Sequence, residues 1–116
     1  MFLKCSGFKW KWEQILRAKK RCDGYFMNRY FIQVYGRVQG VGFRYFAQYT
    51  ATYLRVTGWV KNCDDGSVQI EAQGTEEDTD NFLIKVKQGN QFVRVDDINY
   101  REIQLVDKEK SFRVKY

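Results

Sequence analysis

Three glycines within nine residues separate two regular patterns in this chain. Residues 36–44 run Gly-Arg-Val-Gln-Gly-Val-Gly-Phe-Arg. Before them, from Tyr30 to Arg37, apolar residues alternate as in a half-buried strand, and after them apolar residues recur at helical spacing. The pattern predicts a strand, a glycine-rich loop and a helix start in that order, which favours a fold built from strand–helix units.

The glycine-rich loop is also a candidate anion site. Such a loop exposes several backbone N–H groups, and the helix that follows adds the positive end of its dipole. Arg44 then falls in the first turn of that helix, where the dipole disfavours a cation. A bound phosphate dianion would account for this placement.

The remaining pattern predicts a hairpin and a second helix. A second strand, Val56–Asn62, and a third strand from Val68 flank the turn signal Asp64-Asp65-Gly66. Thr75 is expected to cap the second helix and Gly89 to end it. Two further strands are expected, at residues 93–105 and 112–116. The predicted core stripe of the first helix consists of Phe46, Tyr49, Thr50, Tyr53 and Leu54.

This element order, βαββαβ plus a final strand, predicts an α+β fold. We expect a ferredoxin-like (split βαβ) sandwich, in which an antiparallel sheet carries both helices on one face. In that arrangement the loop after the first strand faces a residue at the end of an adjacent central strand. Arg44 and Asn62 would then border one pocket.

Charge divides the chain into two parts. The net charge is +6, but residues 1–28 hold seven lysines and arginines against two acids, whereas residues 29–116 are nearly balanced. We interpret residues 1–28 as a poorly ordered basic extension and residues 29–116 as the domain. A basic helix over 10–22 that binds a membrane or nucleic acid is the alternative, and Met27 is an alternative start. The balanced charge of the domain disfavours nucleic-acid binding.

The cysteines predict a reducing environment. The chain has three cysteines, Cys5, Cys22 and Cys63. An odd number without CxxC spacing is typical of free thiols in the cytosol. A Cys5–Cys22 bridge is the alternative. Because the chain has no histidine and no clustered thiols, we expect no zinc, no other metal and no cofactor. No secretory signal or membrane-spanning stretch is evident, so a cytoplasmic protein is expected.

Two long motifs resemble one known family. The segment 36–44 together with 58–68, Gly-Trp-Val-Lys-Asn-Cys-Asp-Asp-Gly-Ser-Val, is similar to the acylphosphatases, and the resemblance extends over residues 29–116. It implies that Arg44 binds phosphate and that Asn62 orients the attacking water. It also implies that the phosphate oxygens are held by the backbone amides of Gln39, Gly40, Val41, Gly42 and Phe43. The extension of residues 1–28 is atypical of the family, as is the lack of a proline after the second helix.

The expected activity is hydrolysis of an acyl phosphate to a carboxylate and inorganic phosphate, which would also act as an inhibitor. A carboxylate leaves readily near neutral pH, so the enzyme mainly positions the reactants and stabilises charge. We expect a monomer. Each residue alone has a simpler explanation, the glycines in turns and Asn62 at the start of a turn, but their joint order favours a site.

The sequence leaves two other functions open. A ferredoxin-like sheet can bind RNA through aromatic side chains on its open face, where Tyr35 and Trp59 are expected. The chain could also be a domain of a larger carbamoyl-transfer enzyme, which its short length disfavours.

Overall fold

A computed structural model describes residues 26–116 as five strands and two helices. The predictions for a helix over 10–22 and for the Cys5 and Cys22 thiols lie outside these residues. In chain order the elements are β1 (Met27–Arg37), α1 (Phe43–Tyr53), β2 (Thr57–Asn62), β3 (Val68–Thr75), α2 (Glu76–Gln88), β4 (Arg94–Ile103) and β5 (Phe112–Lys115). The predicted order of elements is confirmed.

The strands form one sheet in the order β4-β1-β3-β2-β5. β1 pairs with β3 and β4, and β2 pairs with β3, all antiparallel. β5 is the exception to the predicted antiparallel sheet, because it runs parallel to β2 at the edge. The α+β ferredoxin-like arrangement with its two helices is confirmed.

The core lies between the sheet and the helices. Alternate residues of β1, namely Tyr30, Ile32 and Val34, are fully buried, as expected for a strand with one face toward the helices. Val60 of β2 and Phe82 of α2 belong to the same core. The strand residues that alternate with these buried ones face the open side of the sheet.

Helix α1 is rotated relative to the prediction. Tyr49 and Tyr53, predicted to be core, are 73% and 77% exposed. The other predicted residues are confirmed, since Thr50 is buried and Phe46 and Leu54 pack against the core. In place of the tyrosines the helix buries Phe43, Ala47 and Ala51. Small side chains allow the helix to lie close to the sheet, so the alanines set its rotation and the tyrosines turn outward.

Both ends of α2 follow the prediction. The Thr75 hydroxyl accepts a hydrogen bond from the Asp78 backbone N–H at 3.1 Å, which satisfies one free amide of the first turn. Gly89, at φ 67°, ends the helix, and its N–H donates to the carbonyl of Val86 at 3.1 Å.

The connection between β4 and β5 crosses the open face of the sheet over a buried ion cluster. Arg29 of β1, 1% exposed, contacts Glu71 and Glu109 at 2.8 Å each. Gln73 accepts from Arg29 at 3.1 Å and forms two hydrogen bonds with the backbone of Val106. Burial lowers the pKa of Arg29, but the two carboxylates outweigh this and the net shift is upward. The cluster therefore anchors the connection that carries β5 to the edge beside β2.

Candidate functional site

Asn62 is the last residue of β2 and lies directly before the turn of the β2–β3 hairpin. It pairs with Val68, and the next pair closes the turn, with the Cys63 N–H donating to the Ser67 carbonyl at 2.9 Å. Asp65 fixes the turn by accepting from the Ser67 hydroxyl at 2.6 Å and from its N–H at 2.9 Å. These bonds lower the pKa of Asp65. As predicted, Asp65 serves the turn.

The Asn62 side chain projects toward the helix side of the sheet. It lies two residues beyond the fully buried Val60, and alternate strand residues share a face. Its Oδ1 is buried, and it has no hydrogen-bond partner within residues 26–116. A buried acceptor without a partner is costly, so this oxygen is suited to receive a hydrogen bond from a bound molecule.

The predicted phosphate-binding loop is held at both of its ends. Val38 and Phe43 are each 1% exposed and lie in the core, and Val41 packs against it. Between them, Gly40 and Gly42 have φ values of 73° and 79° and are exposed. Apart from their chain neighbours, no heavy atom of residues 26–116 lies within 4 Å of where a Cβ would be at either glycine, so these residues leave the loop open on this side.

The loop ends in an uncapped helix N-terminus. Gly42 precedes α1 without any side-chain cap, and the first turn contains no acidic residue. The left-handed glycines and the free N–H groups of the first turn are the elements from which anion-binding nests are made.

One side chain joins the loop to the hairpin. Gln39 Nε2 donates to the carbonyls of Cys63 and Ser67, at 2.8 Å each. The sequence indicates Gln39 only through its backbone amide, and no sequence pattern distinguishes a glutamine that makes such a bridge. The contact brings residues 38–43 next to the end of β2.

Arg44 is the second residue of α1 and reaches the edge strand. Its Nη1 lies 3.5 Å from the Lys115 carbonyl oxygen, and its guanidinium lies 4.8 Å from the ring centre of Tyr116. Lys115 is paired with Lys61, the residue before Asn62. Arg44, Asn62 and the loop therefore lie at the same end of the sheet. Among the described residues, the guanidinium forms no ion pair with a carboxylate.

The model of the acylphosphatase family matches residues 30–114, which include the whole loop, Arg44 and Asn62. The chain belongs to the acylphosphatase family. An acylphosphatase of Clostridium acetobutylicum is 54% identical over 90 residues, which are 78% of this chain and 99% of that protein.

Two solved structures are similar to this chain in fold. The crystal structure of the acylphosphatase from Bacillus subtilis is 44% identical, covers 78% of this chain and 100% of its own, and superposes with a TM-score of 0.73. A full-length HypF in a phosphate- and nucleotide-bound form is 28% identical with a TM-score of 0.69, covering 80% of this chain but 12% of its own.

Three further features of residues 26–116 concern metal binding, membrane-spanning helices and RNA binding on the open face. Within residues 26–116, no group of three or more cysteines and acidic residues is arranged to hold a metal ion. No helix in this part of the acylphosphatase chain is long and apolar enough to cross a bilayer. On the open face the Lys115 ammonium lies 4.4 Å from the centre of the Trp59 ring, so a base stacking there would displace it.

Proposed function

We propose that Arg44 and the backbone amides of residues 39–43 hold the phosphoryl group of an acyl phosphate while Asn62 orients the attacking water. The reaction is the hydrolysis of the acyl phosphate to a carboxylate and inorganic phosphate, the activity of the acylphosphatase family. One observation carries the proposal: the buried, unpartnered Asn62 Oδ1 lies at the end of β2, beside a glycine loop and an uncapped helix.

Binding of the phosphoryl group uses charge and backbone donors together. The guanidinium of Arg44 can bind two phosphate oxygens in a planar fork, which a lysine ammonium cannot reproduce. The amides of the loop and of the first turn of α1 point donors at an anion without needing further positive side chains. Negative charge that develops on the phosphoryl oxygens is stabilised by the same groups.

The water is positioned by a neutral side chain. Asn62 Oδ1 can accept a hydrogen bond from the water, while its NH₂ group donates elsewhere. A carboxamide is a weak base, so it aligns the nucleophile without removing its proton. The phosphate of the substrate accepts that proton, as the resemblance to the family implies.

The leaving group needs no acid. Breaking the bond between phosphorus and the acyl oxygen releases a carboxylate, which is stable without protonation near neutral pH. Phosphoryl transfer through a loose transition state depends mainly on positioning and charge stabilisation. An arginine, an asparagine and a set of amides are therefore sufficient for this chemistry.

The experiment is steady-state hydrolysis of benzoyl phosphate without added metal. Wild-type protein should cleave it, with inorganic phosphate acting as a competitive inhibitor. Asn62→Ala should lower kcat by at least about tenfold, because the water is no longer aligned, while KM stays within about twofold. Asn99→Ala, on the distant edge strand β4, is the matched control and should leave both constants unchanged.

Two results would contradict the proposal. Folded protein that fails to cleave benzoyl phosphate would exclude the activity. A variant Asn62→Ala with raised KM and unchanged kcat would show that Asn62 binds substrate and does not orient water. The cytoplasmic location and the monomeric state remain predictions. The poorly ordered extension of residues 1–28 also remains a prediction, except that its last residues, Met27 and Asn28, belong to β1.

A further inference from the structure

We infer that Gln39 is a positioning residue, whose side chain sets the distance between the phosphate-binding loop and Asn62. The inference rests on the proposed function and assigns to Gln39 a task separate from that of its backbone amide. It rests on the two hydrogen bonds, 2.8 Å each, that Gln39 Nε2 donates to the carbonyls of Cys63 and Ser67, the two residues that close the β2–β3 turn.

The two acceptors belong to one closed turn. The Cys63 carbonyl also accepts from the Gly66 N–H at 3.2 Å, and the Ser67 carbonyl also accepts from the Cys63 N–H at 2.9 Å. Each carbonyl has two lone pairs, so each can accept both bonds. Gln39 therefore binds, at two points, a turn that is closed by its own backbone hydrogen bonds.

The turn is continuous with Asn62. Cys63 follows Asn62 directly, and Ser67 precedes its strand partner Val68. On the other side, Gln39 lies between the buried anchor Val38 and the first exposed glycine of the loop, Gly40. A shift of the Gln39 carboxamide would therefore move the loop amides relative to the Asn62 oxygen.

The reaction is sensitive to this distance. The phosphorus atom is placed by the loop, and the water is placed by Asn62, so the attack distance depends on the link between them. Reacting atoms must lie about 3–3.5 Å apart, and a misplacement of about 1 Å can cost two orders of magnitude in rate. Ground-state binding of phosphate needs only the loop and Arg44, so it should be affected little.

The test is Gln39→Met, which keeps the length of the side chain and removes its donor. We expect kcat for benzoyl phosphate to fall by about tenfold, with KM and the inhibition constant of phosphate within about twofold of wild type. The matched control is Gln33→Met. Gln33 donates to the Ser67 hydroxyl of the same turn at 3.1 Å, and this bond starts from the middle of β1 and not from the loop. Its kcat should stay near wild type.

A double-mutant cycle separates positioning from general support of the loop. If Gln39 acts by placing Asn62, then adding Gln39→Met to Asn62→Ala should lower kcat by less than about twofold. An equal loss of kcat in both backgrounds would overturn the inference, as would an equal loss in Gln33→Met. The proposed function would survive either result, because Asn62→Ala alone tests it.

A second variant covers the case in which Gln39→Met does not fold. In Gln39→Glu the carboxylate faces two carbonyl oxygens, which raises its pKa, and only the protonated form can donate to one of them. We expect its kcat relative to wild type, measured at each pH, to rise as the pH falls from 8 to 5. A ratio that does not change with pH would contradict the inference.

Discussion

The hydroxyl group of Tyr30 in β1 donates a hydrogen bond to Asp80 Oδ1 in α2 at 3.0 Å, and both side chains are fully buried. The bond joins the central strand to the second helix inside the core. Burial and the nearby Asp80 charge raise the pKa of Tyr30. The tyrosine is therefore held as a neutral donor to a buried carboxylate.

Tyr30→Phe should destabilise the fold by about 1–3 kcal/mol, because the buried Asp80 loses a donor. The bond also predicts a pH dependence. The folded protein retains the Tyr30 proton above the ordinary pKa of 10.0, at which the unfolded chain releases it. Its contribution is complete below pH 10.0 and is lost as the pH rises further. Urea unfolding at pH 7 and pH 10.5 should show a smaller pH effect in the variant than in wild type.

Arg44→Ala should raise KM and lower kcat for benzoyl phosphate, since one charge-assisted contact of this kind contributes about 1.5–3 kcal/mol. Arg44→Lys should recover only part of the loss, because an ammonium cannot form the planar fork. Arg37→Ala removes an exposed cation at the end of β1 and controls for net charge. If the two alanine variants have equal kinetic constants, Arg44 has no specific role.

Arg29→Met should lower the free energy of unfolding by about 3–5 kcal/mol, because it leaves Glu71 and Glu109 without their buried cation. Arg94→Met is the matched control. Arg94 pairs with Asp96 at 3.0 Å, but these side chains are 72% and 54% exposed. Its loss should change stability by less than about 1 kcal/mol. Urea denaturation compares the two, and similar losses would mean that the Arg29 cluster contributes no more than a surface pair.

Thr75→Ala should lower stability by about 1 kcal/mol through loss of the helix cap. Thr52→Ala replaces an exposed threonine inside α1 and should be neutral or slightly stabilising. Thr75 pairs with Met27 at the end of the sheet opposite to the loop and Asn62, so kcat and KM of the folded variant should match wild type. Thermal unfolding and the benzoyl phosphate assay provide the two measurements.

The sequence alone predicts those features of the fold that depend on neighbouring residues. Alternation predicted β1, Asp65-Gly66 predicted the hairpin, and Thr75 and Gly89 predicted the ends of α2, since each depends on neighbouring residues alone. The two long motifs also indicated the family that the comparisons establish. The roles of Arg44 and Asn62 remain proposals.

The features that the sequence could not supply depend on distant contacts. The predicted rotation of α1 is wrong at Tyr49 and Tyr53 because tyrosine is common both in cores and on surfaces. The face that packs against the sheet is the one with Ala47 and Ala51. Arg29 carries no local sign of burial; it is covered by the crossing of residues 104–111 and bonded by Glu71 and Glu109, which are distant in the chain. The side-chain bonds of Gln39 span more than twenty residues and have no local signal.

The position of β5 has a consequence for the protein during its synthesis on the ribosome. Arg44 contacts the backbone of Lys115, and β5 pairs with the strand that carries Asn62, so β5 completes the surroundings of groups that are synthesised earlier. A nascent chain could form its first strands without being able to turn over substrate. The onset of activity during translation would then report that β5 has been synthesised and paired with β2.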